Sequence, residues 1–227
     1  MKSLTLALIF SVNFATAIPA GPLSISPEAK ALIVDFETGG QSYYIRHASR
    51  PEWPGGASGV TIGIGYDVGY NTASQIRGDW SVLPAGQLNA LVSCAGMKGA
   101  TARPRAAALR WFSVPWGTAE AVFVQSTMPR FGRMTAAAFP GITGTHPHVQ
   151  GAMLSIVFNR GASMSGNSRI EMRRLRGHIA RDDIRPCPAE IRAMKRLWAS
   201  KGLDGLLRRR EAEARLIEKA EMAKAES

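Results

Sequence analysis

The chain is short of the residues that build several common kinds of site. It has 227 residues but only two cysteines, Cys94 and Cys187, which excludes a disulfide-dense scaffold and a thiolate metal cluster. In an exported chain such a pair forms a disulfide or stays as two buried thiols, and spacing does not choose between them. The four histidines, His47, His146, His148 and His178, are scattered without ligand spacing, so no metal and no cofactor is expected. Beyond Pro27 no run is long and apolar enough to cross a bilayer, and no repeat of solenoid length is visible. Acids are scarce: 17 Asp and Glu stand against 28 Lys and Arg, for a formal charge of +11. The excess is mostly arginine and falls mostly after Arg103. Such a balance favours polyanionic partners, whether nucleic acid, acidic lipid or cell-wall polymer, and says nothing about fold.

What is present suits an ordinary globular protein, with 45% hydrophobic and 20% charged residues rather than a disordered composition. The first residues read as an export signal, residues 1–17, with cleavage as late as Ala20 as a variant. Lys2 supplies the positive start, Leu4 to Phe14 the apolar stretch, and Ala15-Thr16-Ala17 the small-x-small site. A buried first helix and an uncleaved anchor are the alternatives; Pro19 and Pro22 weigh against a continuous spanning helix.

Ser26-Pro27-Glu28 is a helix start, and Ala29, Leu32, Ile33 and Phe36 follow with the spacing of one buried stripe. Gly39-Gly40 ends that helix and leaves Glu37 in its last turn. Tyr43-Tyr44-Ile45 has the make-up of a short strand, and Arg50 to Gly56 that of a loop. Val60 to Tyr66 alternates with period two and is predicted as a strand. Its Gly63 and Gly65 would share a face with Thr61 and Asp67, leaving a bare surface where a ligand could approach.

After Asn71 the chain is predicted almost wholly helical, near Pro84–Gly96, Arg103–Phe112, Thr118–Phe139, His148–Arg160, Asn167–Ala180, Pro188–Ser200 and Leu203–Ala225. Pro129 should kink or divide the third of these. The last reads as a surface helix with a frayed end. The expected class is α+β, in one domain over 26–227. A helix and small glycine-rich β-lobe (26–70) pack against a larger helical lobe (71–227), with a cleft between them.

If the cleft lies between the first helix and the β-lobe, the candidate acids are Glu37, Glu52 and Asp67. Glycoside hydrolysis needs one protonated carboxyl to donate to the leaving oxygen and a second carboxylate to handle water or attack. Glu37, beside Ile33 and Phe36, is expected to be partly desolvated, which favours the protonated form. Parity along an extended strand favours Asp67, with Thr61, over Glu52 as its partner, unless a bulge intervenes. Tyr43, Tyr44, Trp53 and Tyr66 are candidates to stack on sugars or to fill the core.

Glu37-Thr38-Gly39, followed by Thr61-Ile62-Gly63-Ile64-Gly65, resembles phage-type lysozymes, in which a helix-end Glu precedes a hairpin carrying Thr-x-Gly-x-Gly. The resemblance continues through Val157-Phe158-Asn159-Arg160-Gly161 and Gly205-Leu206-Leu207-Arg208-Arg209-Arg210-Glu211-Ala212-Glu213. In that family the catalytic Asp commonly lies six residues before the Thr, where this chain has Gly55; the pesticin-like variant carries an Asp after the Thr, as Asp67 does here.

The resemblance implies a lysozyme-like fold and a muramidase (endolysin) activity on peptidoglycan. Glu37 would be the general acid, Asp67 with Thr61 would activate water, and Tyr66, Gly63, Gly65 and Asn159 would line the substrate site. It also implies inversion of configuration, for which the carboxyls should stand about 6.5–9.5 Å apart. A monomer acting in the periplasm or outside the cell is expected, with an immunity or inhibitor protein as partner if it is a toxin. A basic wall-binding or membrane-active protein without catalysis is the competing reading. Nucleic-acid binding through Arg169–Arg176 and Arg208–Arg210 fits poorly with an export signal.

Overall fold

The computed structural model describes residues 23–225. The export-signal reading therefore lies outside the described residues. The first helix, α1 (Pro27–Thr38), begins as expected: the Ser26 hydroxyl accepts from Ala29 N at 3.1 Å, with Pro27 in the first turn. It ends at Gly39, whose φ of 69° makes a left-handed cap, and Gly39 N donates to Asp35 O. Tyr43-Tyr44-Ile45 is not a strand. It forms the short helix α2 (Gln41–Tyr43), which runs into a wide π-helical turn at Tyr44–Ala48. The reason is tertiary: the Tyr44 ring is buried, and its hydroxyl donates to Val114 O at 2.9 Å.

The period-two run over Val60 to Tyr66 is likewise not one strand. It folds back as a hairpin of β1 (Thr61–Ile62) and β2 (Tyr66–Asp67), antiparallel, with Thr61 opposite Asp67 and Ile62 opposite Tyr66. Gly63 and Gly65, both at positive φ, supply the reversal between them. A bridge from Glu52 to Thr61 widens this small sheet by one residue.

The rest is helical: α3 (Ala73–Asp79), α4 (Ala85–Val92), α5 (Ala102–Ala108), α6 (Trp116–Val122), α7 (Met128–Ala138), α8 (Pro147–Arg160), α9 (Ile170–Ala180), α10 (Cys187–Ala193) and α11 (Asp204–Ala225). The α+β layout holds, as a mostly helical fold with one two-stranded antiparallel sheet. α3 was not expected, although Thr72 and Gln75 form a capping box that announces it. The helix predicted over Thr118–Phe139 is divided, as its proline suggested. A π-helical turn at Phe123–Thr127 separates α6 from α7, just before Pro129, which lacks an N–H and crowds the preceding turn. No helix among the described residues is long and apolar enough to cross a membrane.

Two cores result. One gathers Val60, Ile62, Ile64 and Tyr66 of the hairpin region with Trp80, Leu91, Phe112 and Phe123. The other gathers Met172, Leu175, Ile179, Ile191 and Ile217 around α8. α1 and α8 serve both: Ile33, Val34 and Leu154 join the first core, while Ala29, Val149 and Ile156 join the second. α8 is buried continuously from Val149 to Val157, and its two polar residues there, Gln150 and Ser155, are satisfied by hydrogen bonds. Cys94 belongs to the first core and Cys187 to the second; both are buried free thiols.

α11 departs most from expectation. It is no surface helix, because Arg209, Arg210, Glu213, Ala214 and Ile217 are all buried. Its inward charges are paired with one another and with α1, which makes burial tolerable.

α1 and α8 cross closely at Gly151, where an added Cβ would stand 2.1 Å from the Ala29 Cβ. Gly151→Ala is therefore expected to lower stability by about 1–3 kcal/mol through overpacking, read as a lower urea midpoint. Ala29→Gly in the same chain should restore most of that loss.

Candidate functional site

The end of α1 meets the hairpin turn from one side and α11 from the other. The Glu37 carboxylate is held at both oxygens' sides. Its Oε1 accepts from Arg209 Nη1 at 2.5 Å. Its Oε2 faces the hairpin so closely that a Cβ on Gly65 would stand 2.9 Å away, with the Phe158 ring at 3.1 Å. Only glycine fits there, both for space and for its φ of 64°.

Arg209 does not act alone. Its Nε donates to Ser155 Oγ at 3.1 Å and lies 3.4 Å from Glu213 Oε1, while Ser155 Oγ donates to that same oxygen at 2.6 Å. Arg210 closes the cluster, with Nε 2.7 Å from Glu213 Oε2 and Nη2 donating to Asn159 Oδ1 at 3.4 Å. Glu213 and Arg210 are fully buried. Burial pushes the Glu213 carboxyl up and the Arg210 guanidinium down, each against the pull of its partner's charge. Glu37, Glu213, Arg209 and Arg210 thus form one linked set joining α1, α8 and α11.

Beside this cluster a groove of about 700 Å³ opens between the hairpin region and the helical lobe. Gly65, Tyr66, Asp67 and Tyr70 line it on one side, and Arg130, Phe131, Phe158, Asn159 and Arg160 on the other. Of the sequence-derived candidates, Gly65, Tyr66, Asp67 and Asn159 therefore share this groove; Glu37 and Thr61 are not among its lining residues, and Glu37 lies behind Gly65.

Asp67 sits in a cradle of bare backbone. Its oxygens accept from Gly59 N at 2.9 and 3.1 Å and from Gly69 N at 2.8 Å. A Cβ on Gly59 would collide with Asp67 Oδ1 at 2.4 Å. Burial raises the Asp67 carboxyl above its ordinary value, opposed by the N–H groups of Gly59 and Gly69 and by the charge of Lys98. Thr61 and Asp67 share a face, as expected, but for another reason: they are directly opposed across two strands, not six apart along one. Glu52 bridges to the far side of Thr61, so Glu52, Thr61 and Asp67 form one cross-strand row. Burial raises Glu52 as well, against the charge of Arg110, yet its side chain is largely exposed and lines no part of the groove.

One placement differs from expectation, and Tyr66 has a second role besides lining the groove. Gly63 turns away from the groove, where a Cβ would meet the Trp80 ring at 2.7 Å, so its bareness serves the core rather than a ligand. Tyr66 is a buried structural residue. Its hydroxyl donates to Asp79 Oδ2 at 2.8 Å, its ring meets Trp80 edge-on, and Arg130 completes the set at 3.1 Å from Asp79. Tyr44 is also core, and Tyr43 is exposed.

Sequence reasoning assigned no role to Arg209, Glu213 or Ser155, nor to Tyr70, which is 61% exposed at the groove with Lys98 Nζ 4.5 Å from its ring centroid. The Arg-Arg-x-x-Glu spacing of residues 209–213 was the available signal, since it puts both arginines within a helical turn of the acid.

Removing one member of the buried set leaves an uncompensated charge. Glu213→Gln is expected to cost about 3–5 kcal/mol in urea denaturation. Lys30→Gln, which breaks the surface pair with Glu120, should cost less than about 1 kcal/mol.

A family model described as a domain of unknown function (DUF8812) matches residues 33–110. That stretch carries Glu37, Thr61 and Asp67 but neither Asn159 nor Arg209. No curated protein matches the chain.

Proposed function

We propose that the protein is a muramidase with a lysozyme-like fold, of the phage-type kind in its pesticin-like variant. On this reading it hydrolyses the β-1,4 bond between N-acetylmuramic acid and N-acetylglucosamine in peptidoglycan, in the periplasm or outside the cell. The observation that carries the reading is the placement of Glu37 Oε2 against Gly65, at the wall of a groove that also holds Asp67.

Oε2 is the oxygen from which Glu37 would donate a proton, because Arg209 occupies Oε1. Glu37 passes it to the glycosidic oxygen as the bond from that oxygen to the sugar C1 breaks. A water attacks C1 from the opposite side and gives its proton to Asp67, so the new reducing end has inverted configuration. Backbone donors from Gly59 and Gly69 hold the Asp67 carboxylate, and on this reading the hydroxyl of Thr61, its cross-strand partner, steadies the water. Proton exchange with solvent restores Glu37 as the acid and Asp67 as the base. Glu213 and Arg209 keep the donor aimed but touch no reacting atom.

Glu37→Gln keeps the side-chain shape and removes the donor. It should reduce release of reducing sugars from purified peptidoglycan by roughly a hundred- to ten-thousand-fold while the protein stays folded. Mass analysis of the fragments identifies the bond cut. Full activity in that variant would assign the proton donor elsewhere, and intact glycan strands after digestion by the wild type would leave a non-catalytic wall-binding protein instead.

Asp67 must be ionised to take the water's proton. Its raised carboxyl puts the acidic limb of the pH–rate profile above the ordinary aspartate value of 3.8, with activity lost as pH falls through it. Lys98 holds that carboxyl down, so Lys98→Met should move the acidic limb toward neutral pH. An unmoved limb would assign the base role elsewhere.

A further inference from the structure

The surface where α5 ends is built unlike its surroundings. Hydrogen bonds lay it beside the turn after α2. Val114 N donates to Ser49 O at 2.7 Å, the Tyr44 hydroxyl donates to Val114 O at 2.9 Å, and Arg50 Nη1 donates to Arg110 O at 2.7 Å. α5 and the residues after it send Ala102, Ala106, Leu109 and Phe112 into the core. Arg103, Arg105, Arg110 and Trp111 are left outside. The neighbouring turn buries Tyr44 and leaves Ile45 and Arg46 outside. Trp111 is 61% exposed and Ile45 55% exposed.

None of Arg46, Arg50, Arg103, Arg105 and Arg110 forms an ion pair among the described residues, although Arg110 lies close enough to Glu52 to affect its carboxyl.

Unpaired guanidiniums attract anions and can grip phosphate with two N–H groups at once. A soluble polyanion would satisfy them and leave Trp111 and Ile45 in water. A phospholipid surface offers both layers: anionic headgroups for the arginines, and beneath them the interfacial zone where an indole partitions best. We propose that this face, Trp111 and Ile45 with the flanking arginines, docks the protein on an anionic phospholipid bilayer. The docking is peripheral and does not depend on the muramidase reading.

The test is co-sedimentation of the full chain with phosphatidylcholine–phosphatidylglycerol vesicles and with phosphatidylcholine vesicles alone. The apolar stretch Leu4 to Phe14 is common to every variant, so differences between variants report this face. Wild type should favour the anionic vesicles and lose affinity with salt. Joint Arg46→Gln, Arg103→Gln and Arg110→Gln should weaken binding by about fivefold for each arginine removed. Trp111→Ala should weaken it further and abolish a blue shift in tryptophan emission. The joint control Arg133→Gln, Arg176→Gln and Arg208→Gln removes the same charge from other exposed positions and should leave binding close to wild type. Circular dichroism and an unchanged melting temperature establish that each variant is folded. Equal binding by all variants would overturn the proposal. So would arginine-dependent binding to polyphosphate with Trp111→Ala silent in both assays, which would make the partner a soluble polyanion.

Discussion

The ion pair between Glu37 and Arg209 depends on charges set deeper in the protein, and the geometry of the groove depends on that pair. A carboxylate at a helix end next to a glycine turn would otherwise swing into water. Here Arg209 fixes one oxygen, Glu213 and Ser155 fix Arg209, and Arg210 balances Glu213. Desolvating four charges costs several kcal/mol for each ion, and only mutual pairing with well-placed hydrogen bonds offsets it. The set is therefore intolerant of partial loss. It also makes α11 part of a site whose other residues come from α1, the hairpin, α7 and α8.

The remaining architecture serves the same end. α8 runs through both cores, carries Phe158 and Asn159 to the inner wall of the groove and brings Ser155 to the buried charges. Its close crossing with α1 at Gly151 sets the height of Glu37 relative to the hairpin. The hairpin is too short to be stable alone, since an isolated two-stranded ribbon is marginal in water. Val60, Ile62, Ile64 and Tyr66 anchor it to Trp80 and the helices around it, and the Tyr66–Asp79–Arg130 set ties it to α3 and α7. Asp67 is then placed by backbone: glycines at 59 and 69 let two strands' worth of N–H groups close on its carboxylate.

Much of this was legible in one dimension where the signal is local. Ser26-Pro27 and Gly39 bracket α1 because capping and helix exit depend on a few adjacent residues. The helix near His148–Arg160 and the break before Pro129 were legible for the same reason. Tyr43-Tyr44-Ile45 misled because aromatic, β-branched composition says strand, whereas burial of Tyr44 against Val114 selects a helical turn. The run through Gly63 and Gly65 misled because period two continues through a tight reversal, and glycine permits both an extended strand and a turn.

By itself, the sequence determined the α+β class, the helix carrying Glu37, the candidate acids Glu37, Glu52 and Asp67, and the excess of arginine, because each follows from local chemistry or from counting. Only the tertiary structure decided that Gly65 faces Glu37 while Gly63 faces Trp80, that Glu52 stands outside the groove, and that the arginine-rich last helix is buried. Those outcomes depend on which distant side chains arrive alongside. The partners that make a buried charge tolerable, or a missing Cβ necessary, lie far away along the chain.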